Sequence, residues 1–253
     1  MIEVKNFSAG YSKSFVLNDI ACKIGGSLIY ALIGPNASCK TTFLRSLLAD
    51  IPFHSGQIFL DGKNIFKMKT EETAKKVSFS PSEVFIPFEF SVSEFVEMGR
   101  FAVNRHFWGS EEDAEIVEKT MEEMDISKIK NRRINEISTG QKQRCVLAQI
   151  IAKNTDIILM DEPTAHLDIR HRVKFFRKVL ELKKNGGKTL VITFHDLNDA
   201  VNIAEKFILL KNGKIAEIAD RDELTEEKIS FLYETKVAIS KPHGKAWSVL
   251  PAF

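Results

Sequence analysis

The stretch GPNASCKTT, Gly34 to Thr42, decides how the chain is read. It nearly spells the phosphate-binding loop G-x-x-x-x-G-K-[ST]. Gly34 supplies the first glycine, Lys40 the lysine and Thr41 the hydroxyl, but Cys39 stands where the second glycine belongs. The flanks match what such a loop needs. SLIYALIG before it reads as a buried strand ending in glycine. TTFLRSLLAD after it places Phe43, Leu44, Leu47 and Leu48 at helical spacing. In that setting the N–H groups and positive pole of a helix start would meet phosphate. The same residues also suit a plain strand–turn–helix corner with an exposed lysine.

A second apolar run breaks the tie. DIILMDEPTAHLD places Asp161 and Glu162 just beyond four apolar residues. Adjacent carboxylates at the C-terminal end of a parallel strand lie where ligands bind in such sheets. There Asp161 is expected to hold Mg²⁺ through water and Glu162 to act as general base on the attacking water or to polarise it. KTLVITFHD is a third run, ending at His195. Between these two runs, IRHRVKFFRKVLELKKNGG reads as a helix stopping at Gly186–Gly187, which completes a strand–helix–strand unit.

The remaining segments differ in pattern. MIEVKNFSAGYSKSFVLNDIACKI and GQIFLDGKNI alternate and carry turn residues, as antiparallel strands do. Residues 94–153 are mostly helical in pattern, with Ile116, Val117, Met121 and Met124 near one face. The acids from Glu111 to Asp113 read as a solvated helix start. Ser138 and Gln141 fit a capping box, S-x-x-Q, which opens a further helix. Tyr11 suits either stacking on a nucleobase or packing a strand.

Composition narrows the class. A net charge of +2 over 253 residues gives no electrostatic case for nucleic acid. Three cysteines, with no C-x-x-C pair, suggest neither a disulfide framework nor a zinc site, and point to a reducing compartment. No apolar leader and no run near eighteen apolar residues are present, so the chain is expected neither to be secreted nor to span a bilayer.

Taken together and in order, these segments resemble the nucleotide-binding subunit of an ATP-binding cassette (ABC) transporter over nearly the whole chain. ALIGPNASCKTTFLRSL resembles Walker A, ISTGQKQR the signature, IILMDEPTAHLD Walker B with the D-loop, and ITFHD the switch histidine. The resemblance implies an α/β P-loop NTPase (RecA-like) core with a mainly parallel sheet, an N-terminal antiparallel β region and an inserted helical subdomain. The single ABC ATPase domain would cover 1–253, with its core at about 1–84 and 155–253 and the helical subdomain at about 85–154.

It also implies roles. Residues Gly34, Pro35, Asn36, Ala37, Ser38, Cys39, Lys40, Thr41 and Thr42 would hold the ATP phosphates, with Thr41, Asp161 and Ser82 toward Mg²⁺. Tyr11 would stack on adenine. Glu162 and His195 would be catalytic. Two copies would close head to tail, bringing Ser138, Gly140, Gln141 and Asp168 of one against the ATP of the other. The partners would be transmembrane permease subunits and, indirectly, an extracytoplasmic substrate-binding protein, with the chain on the cytoplasmic face of the cell membrane. IPFEFSVSEFVEMGRF and PTAHLDIRHR further resemble the importers of iron–siderophore complexes, haem and cobalamin. There Phe85, Phe88, Phe90 and Phe95 suit a groove for a permease helix, or core packing.

Four positions depart from the pattern: Ala37 and Cys39 in Walker A, Thr139 in the signature, and Ser82 in place of the Q-loop glutamine. They keep open a regulatory or scaffold subunit with weak catalysis. A soluble ABC ATPase working on DNA or ribosomes is a third class; the long coiled coils or paired cassettes that such members carry are not seen in this sequence.

Overall fold

The computed structural model describes residues 1–11, 16–83, 86, 88–101, 103, 110–242 and 246–252. In chain order its regular elements are β1 (Ile2–Ala9), β2 (Leu17–Ile24), β3 (Ile29–Ile33), α1 (Lys40–Ser46), β4 (Phe53–Leu60), β5 (Lys63–Asn64), α2 (Thr70–Ala74) and β6 (Val77–Ser80). Then come α3 (Val92–Phe101), α4 (Glu111–Glu123), α5 (Thr139–Lys153), β7 (Ile157–Met160), α6 (Ile169–Gly186) and β8 (Thr189–Thr193). The chain finishes with α7 (Leu197–Ile203), β9 (Lys206–Lys211), β10 (Lys214–Asp220), α8 (Glu226–Tyr233), β11 (Val237–Ser240) and β12 (Ser248–Pro251). The residues fall into two compact units, 1–68 with 182–253, and 69–181.

The first unit carries β3 between parallel neighbours β8 and β9, with β10 antiparallel to β9. All five residues of β3 and of β8 are buried. Continuous apolar sequence is what strands covered on both faces require. A separate antiparallel sheet has the order β2-β1-β4-β5. Ile2, Val4 and Phe7 of β1 lie opposite Ile24, Cys22 and Ile20 of β2, all buried. Their outward neighbours stay polar, which is the alternation read from the sequence.

The second unit pairs β6 with β7 in parallel and packs α3, α4 and α5 together. Gly99 of α3 allows a close helix approach, because a Cβ there would come within 2.3 Å of the Gln149 carbonyl of α5. Val117, Met121 and Met124 are buried, whereas Ile116 is only partly so.

One expectation fails here. Ser110 and Asp113 do form a capping box at the start of α4. Asp113, however, is 2% exposed and its carboxylate takes the Arg100 Nε–H at 2.6 Å. Arg100 also donates to the Ala152 carbonyl at 2.8 Å. The acidic run is therefore not wholly solvated. A buried carboxylate requires a partner, and Arg100 of α3 supplies it while joining three helices. The aromatic stretch divides: Phe88 is exposed, Phe90 is partly buried and Phe95 is buried. Phe85 lies outside the described residues.

Candidate functional site

In the first unit, β3 delivers Gly34 to the edge of the sheet. A Cβ at Gly34 would sit 2.1 Å from the Leu210 carbonyl and 2.7 Å from Ser38 Oγ, so only glycine fits. The loop turns through a Ser38 N–H to Pro35 carbonyl bond of 3.2 Å. Ala37 and Cys39 both take left-handed backbone, with φ of 63° and 77°. These are the two positions where glycine was expected, and the backbone keeps the glycine conformation without the glycine. No side chain caps α1 at Cys39.

Lys40 Nζ donates to the carbonyls of Gly34 and Pro35 at 2.9 and 3.0 Å, folded over the loop. Ser38 Oγ is buried with no hydrogen-bond partner. A buried hydroxyl left unsatisfied is costly, and here it lies in a loop with an ammonium beside it and an uncapped helix behind it. Those groups fit a polyphosphate. Thr42 is buried, whereas Asn36 and Thr41 are exposed.

His195 belongs to the same edge. Leu32 of β3 pairs with Thr193 of β8 in parallel register, so Gly34 and His195, each two residues on, leave the sheet together. His195 is exposed. Asp196 takes the Asn198 N–H at 2.9 Å and caps α7 behind it. Tyr11 is 56% exposed, follows the Gly10 N–H to Pro52 carbonyl bond, and interacts with Arg45 of α1. Its ring is available to a planar ligand.

The second unit repeats this logic. Ser80 of β6 pairs with Met160 of β7, and the Asp161 N–H donates to the Ser80 carbonyl at 2.8 Å. Ser82 and Glu162, each two residues beyond, therefore emerge at one edge. Asp161 is 3% exposed. Glu162 is partly buried and held at φ 45°, a conformation that non-glycine residues rarely adopt.

Ser138 and Gln141 cap α5 reciprocally, at 3.3 and 2.9 Å. A cap of this kind contributes about 1 kcal/mol. A Cβ at Gly140 would lie 3.0 Å from the His166 carbonyl, so the start of α5 rests against the segment after β7. Ser82, Glu83, Thr139, Lys142, Gln143 and His166 line an open cleft of about 290 Å³. Asp168 caps α6, accepting from the His171 N–H and facing the His171 ring nitrogen, both at 2.9 Å. The His171 backbone bond, then its ring, hold the Asp168 carboxyl below the usual range.

Some contributors escaped the sequence reading. Gln143 is buried and donates to the Pro163 carbonyl at 3.1 Å, fixing the chain after Glu162. His171 supports Asp168, and the spacing D-x-x-H was a legible cap signal. The three thiols differ: Cys22 and Cys145 are buried, whereas Cys39 is partly exposed.

Comparison with known proteins supports one family. A family profile described as ABC transporter matches residues 17–165. The iron(3+)-hydroxamate import ATP-binding protein of Bacillus subtilis is 32% identical over 215 residues, 85% of this chain and 80% of the relative. The ferric enterobactin transport ATP-binding protein of Escherichia coli is 33% identical over 238 residues, 93% of this chain and 88% of the relative. Among solved structures, the dimeric post-hydrolysis state of the ATP-binding cassette MJ0796 bound to ADP and Pi superposes with a TM-score of 0.80. It is 26% identical and covers 87% of this chain and 99% of that one.

Proposed function

Because the chain belongs to the ABC transporter family, with the P-loop NTPase fold of its cassettes, we propose that it binds and hydrolyses ATP to power a membrane importer of iron–siderophore or related metal chelates. The import names of the relatives support the cargo class. Among the described residues no helix is long and apolar enough to cross a membrane. Transmembrane permease subunits then supply the path, a substrate-binding protein delivers the cargo, and this chain works from the cytoplasmic face.

Roles follow residue by residue. Lys40 leaves the Gly34 and Pro35 carbonyls to neutralise the β- and γ-phosphates. Ser38 and the loop amides complete the cradle, and Tyr11 stacks on adenine. Thr41 and, through water, Asp161 and Ser82 would hold Mg²⁺, which neutralises charge on the phosphates when bound. Glu162 orients and activates the attacking water, and His195 contacts the γ-phosphate. A second copy, docked head to tail, adds Ser138, Gly140, Gln141 and Asp168.

The observation that carries this reading is the phosphate loop, which keeps its left-handed turns at Ala37 and Cys39 and an unpartnered buried hydroxyl at Ser38. Glu162→Gln tests it: nucleotide binding is retained and steady-state turnover with the permease is lost. Hydrolysis by the variant at the wild-type rate would remove Glu162 from the mechanism. A wild-type protein that binds ATP but stays inactive with its permease would favour a regulatory subunit.

A further inference from the structure

Three residues, Phe194, His195 and Asp196, join β8 to α7. Phe194 is buried and His195 is exposed. α7 has only seven residues, and a helix so short does not hold its place by its own backbone bonds. What packs on it therefore sets where the link and its histidine come to rest. Ala200 and Val201 of α7 are buried. Asn198 and Asn202, one turn apart on a shared face, meet the hairpin formed by β11 and β12.

Asn198 uses both ends of its amide. Its Nδ2–H donates to the Asp196 carboxylate at 3.1 Å, and its Oδ1 accepts the Val249 N–H of β12 at 2.8 Å. Asn202 exchanges two bonds with the Trp247 backbone, donating to its carbonyl and accepting its N–H, both at 2.9 Å. It also donates to the Asn198 carbonyl at 2.7 Å. The hairpin is in turn fastened to α8. The Val237 N–H donates to Ser230 Oγ at 3.2 Å and the Ile239 N–H to the Glu226 carboxylate at 2.8 Å. Lys241 Nζ donates to the Leu224 carbonyl at 2.8 Å and lies 4.4 Å from the centre of the Trp247 ring.

We propose that Asn198 is a positioning residue for His195, and that the β11–β12 hairpin is the support it draws on. This rests on the ATPase reading, in which His195 contacts the γ-phosphate. Asn198 acts through Asp196, the residue joined by one peptide bond to His195. The Asp196 carboxylate caps α7 by accepting the N–H of residue 198, and that bond needs no amide side chain. The amide adds a direction: it ties the same carboxylate to the backbone of a strand 51 residues further along the chain. Asn202 keeps that strand in place one turn later. The histidine link is thereby held at both ends, by β8 before it and by the hairpin after it.

Asn198→Ala removes both amide bonds and leaves the backbone cap of α7. With the permease present, kcat should fall about three- to tenfold, the worth of one hydrogen bond. Affinity for a non-hydrolysable ATP analogue with Mg²⁺, set by the phosphate loop and Tyr11, should change by less than about twofold. Asn202→Ala, at an exposed position, is the variant to read if Asn198→Ala does not fold. It releases Trp247 and the Asn198 carbonyl, and should lower kcat in the same way with affinity kept. Ile58→Ala is the control, because Ile58 is a fully buried residue of β4 in the separate antiparallel sheet. It should lower the melting temperature and leave kcat unchanged. An unchanged kcat in the asparagine variant would overturn the proposal. So would a fall in kcat that Ile58→Ala reproduces at an equal drop in melting temperature, or a loss of analogue affinity as large as the loss in kcat. A wild-type protein that fails to hydrolyse ATP with its permease would sink the ATPase reading and this inference with it, whereas wild-type turnover with an unaffected variant sinks this inference alone.

Discussion

Cys39 and Ala37 share the left-handed backbone region, and the Cys39 thiol leans back onto the Ala37 carbonyl at 3.6 Å. A residue with a Cβ at such angles costs about 1–2 kcal/mol relative to its relaxed state. Cys39→Gly removes that cost and the thiol's bulk. ATP should bind roughly five- to thirtyfold tighter if the strain is released in the bound loop. The added freedom of the unfolded chain opposes any gain in melting temperature. Calorimetric titration with a non-hydrolysable analogue decides; equal or weaker binding would mean the loop carries Cys39 without strain.

Arg100→Ala should destabilise the helical unit by about 3–5 kcal/mol, because it strands the buried Asp113 carboxylate. Arg100→Met with Asp113→Leu should recover much of that loss, since an apolar pair needs no partner. Urea denaturation of the wild type and these two variants checks this. A single mutant as stable as wild type would show that solvent reaches Asp113.

Stability should fall in acid for a definable reason. Asp125, through its hydrogen bond to Lys174, and Asp168, through the His171 backbone bond, both have carboxyls held below the ordinary aspartate value of 3.8. A depressed folded value means the contribution is present above 3.8 and is lost as pH falls through the folded value. Both groups are largely exposed, so the effect is modest and weakened by salt. Asp168→Asn should flatten the acid limb of a stability-versus-pH profile. An unchanged limb would assign it to other carboxylates.

Without nucleotide the protein should sediment mainly as a monomer, since the proposed head-to-tail interface includes ATP. A tight dimer in ATP-free buffer would contradict that arrangement.

The sequence made some of this legible and hid the rest for identifiable reasons. The runs YALI, IILM and TLVIT read as buried strands because continuous apolar residues leave few alternatives. The Ser138–Gln141 box was readable because caps are local. Asp113 was misread because its partner lies thirteen residues away on another helix, and local pattern carries no tertiary pairing. The glycine replacements were visible in the motif, but only the backbone angles show that the turns survive them.

The distribution of sulfur has a practical consequence. Cys22 and Cys145 are buried and their thiols are pushed up to about 12, which leaves them inert to alkylating reagents in the folded protein. Cys39 is partly exposed, and its thiol is raised by burial against the pull of Lys40. A maleimide fluorophore applied under mildly alkaline conditions would therefore attach at a single point, inside the phosphate loop. One of the residues that depart from the family pattern would then give the unmutated chain a built-in reporter: nucleotide bound as proposed would protect Cys39 from labelling.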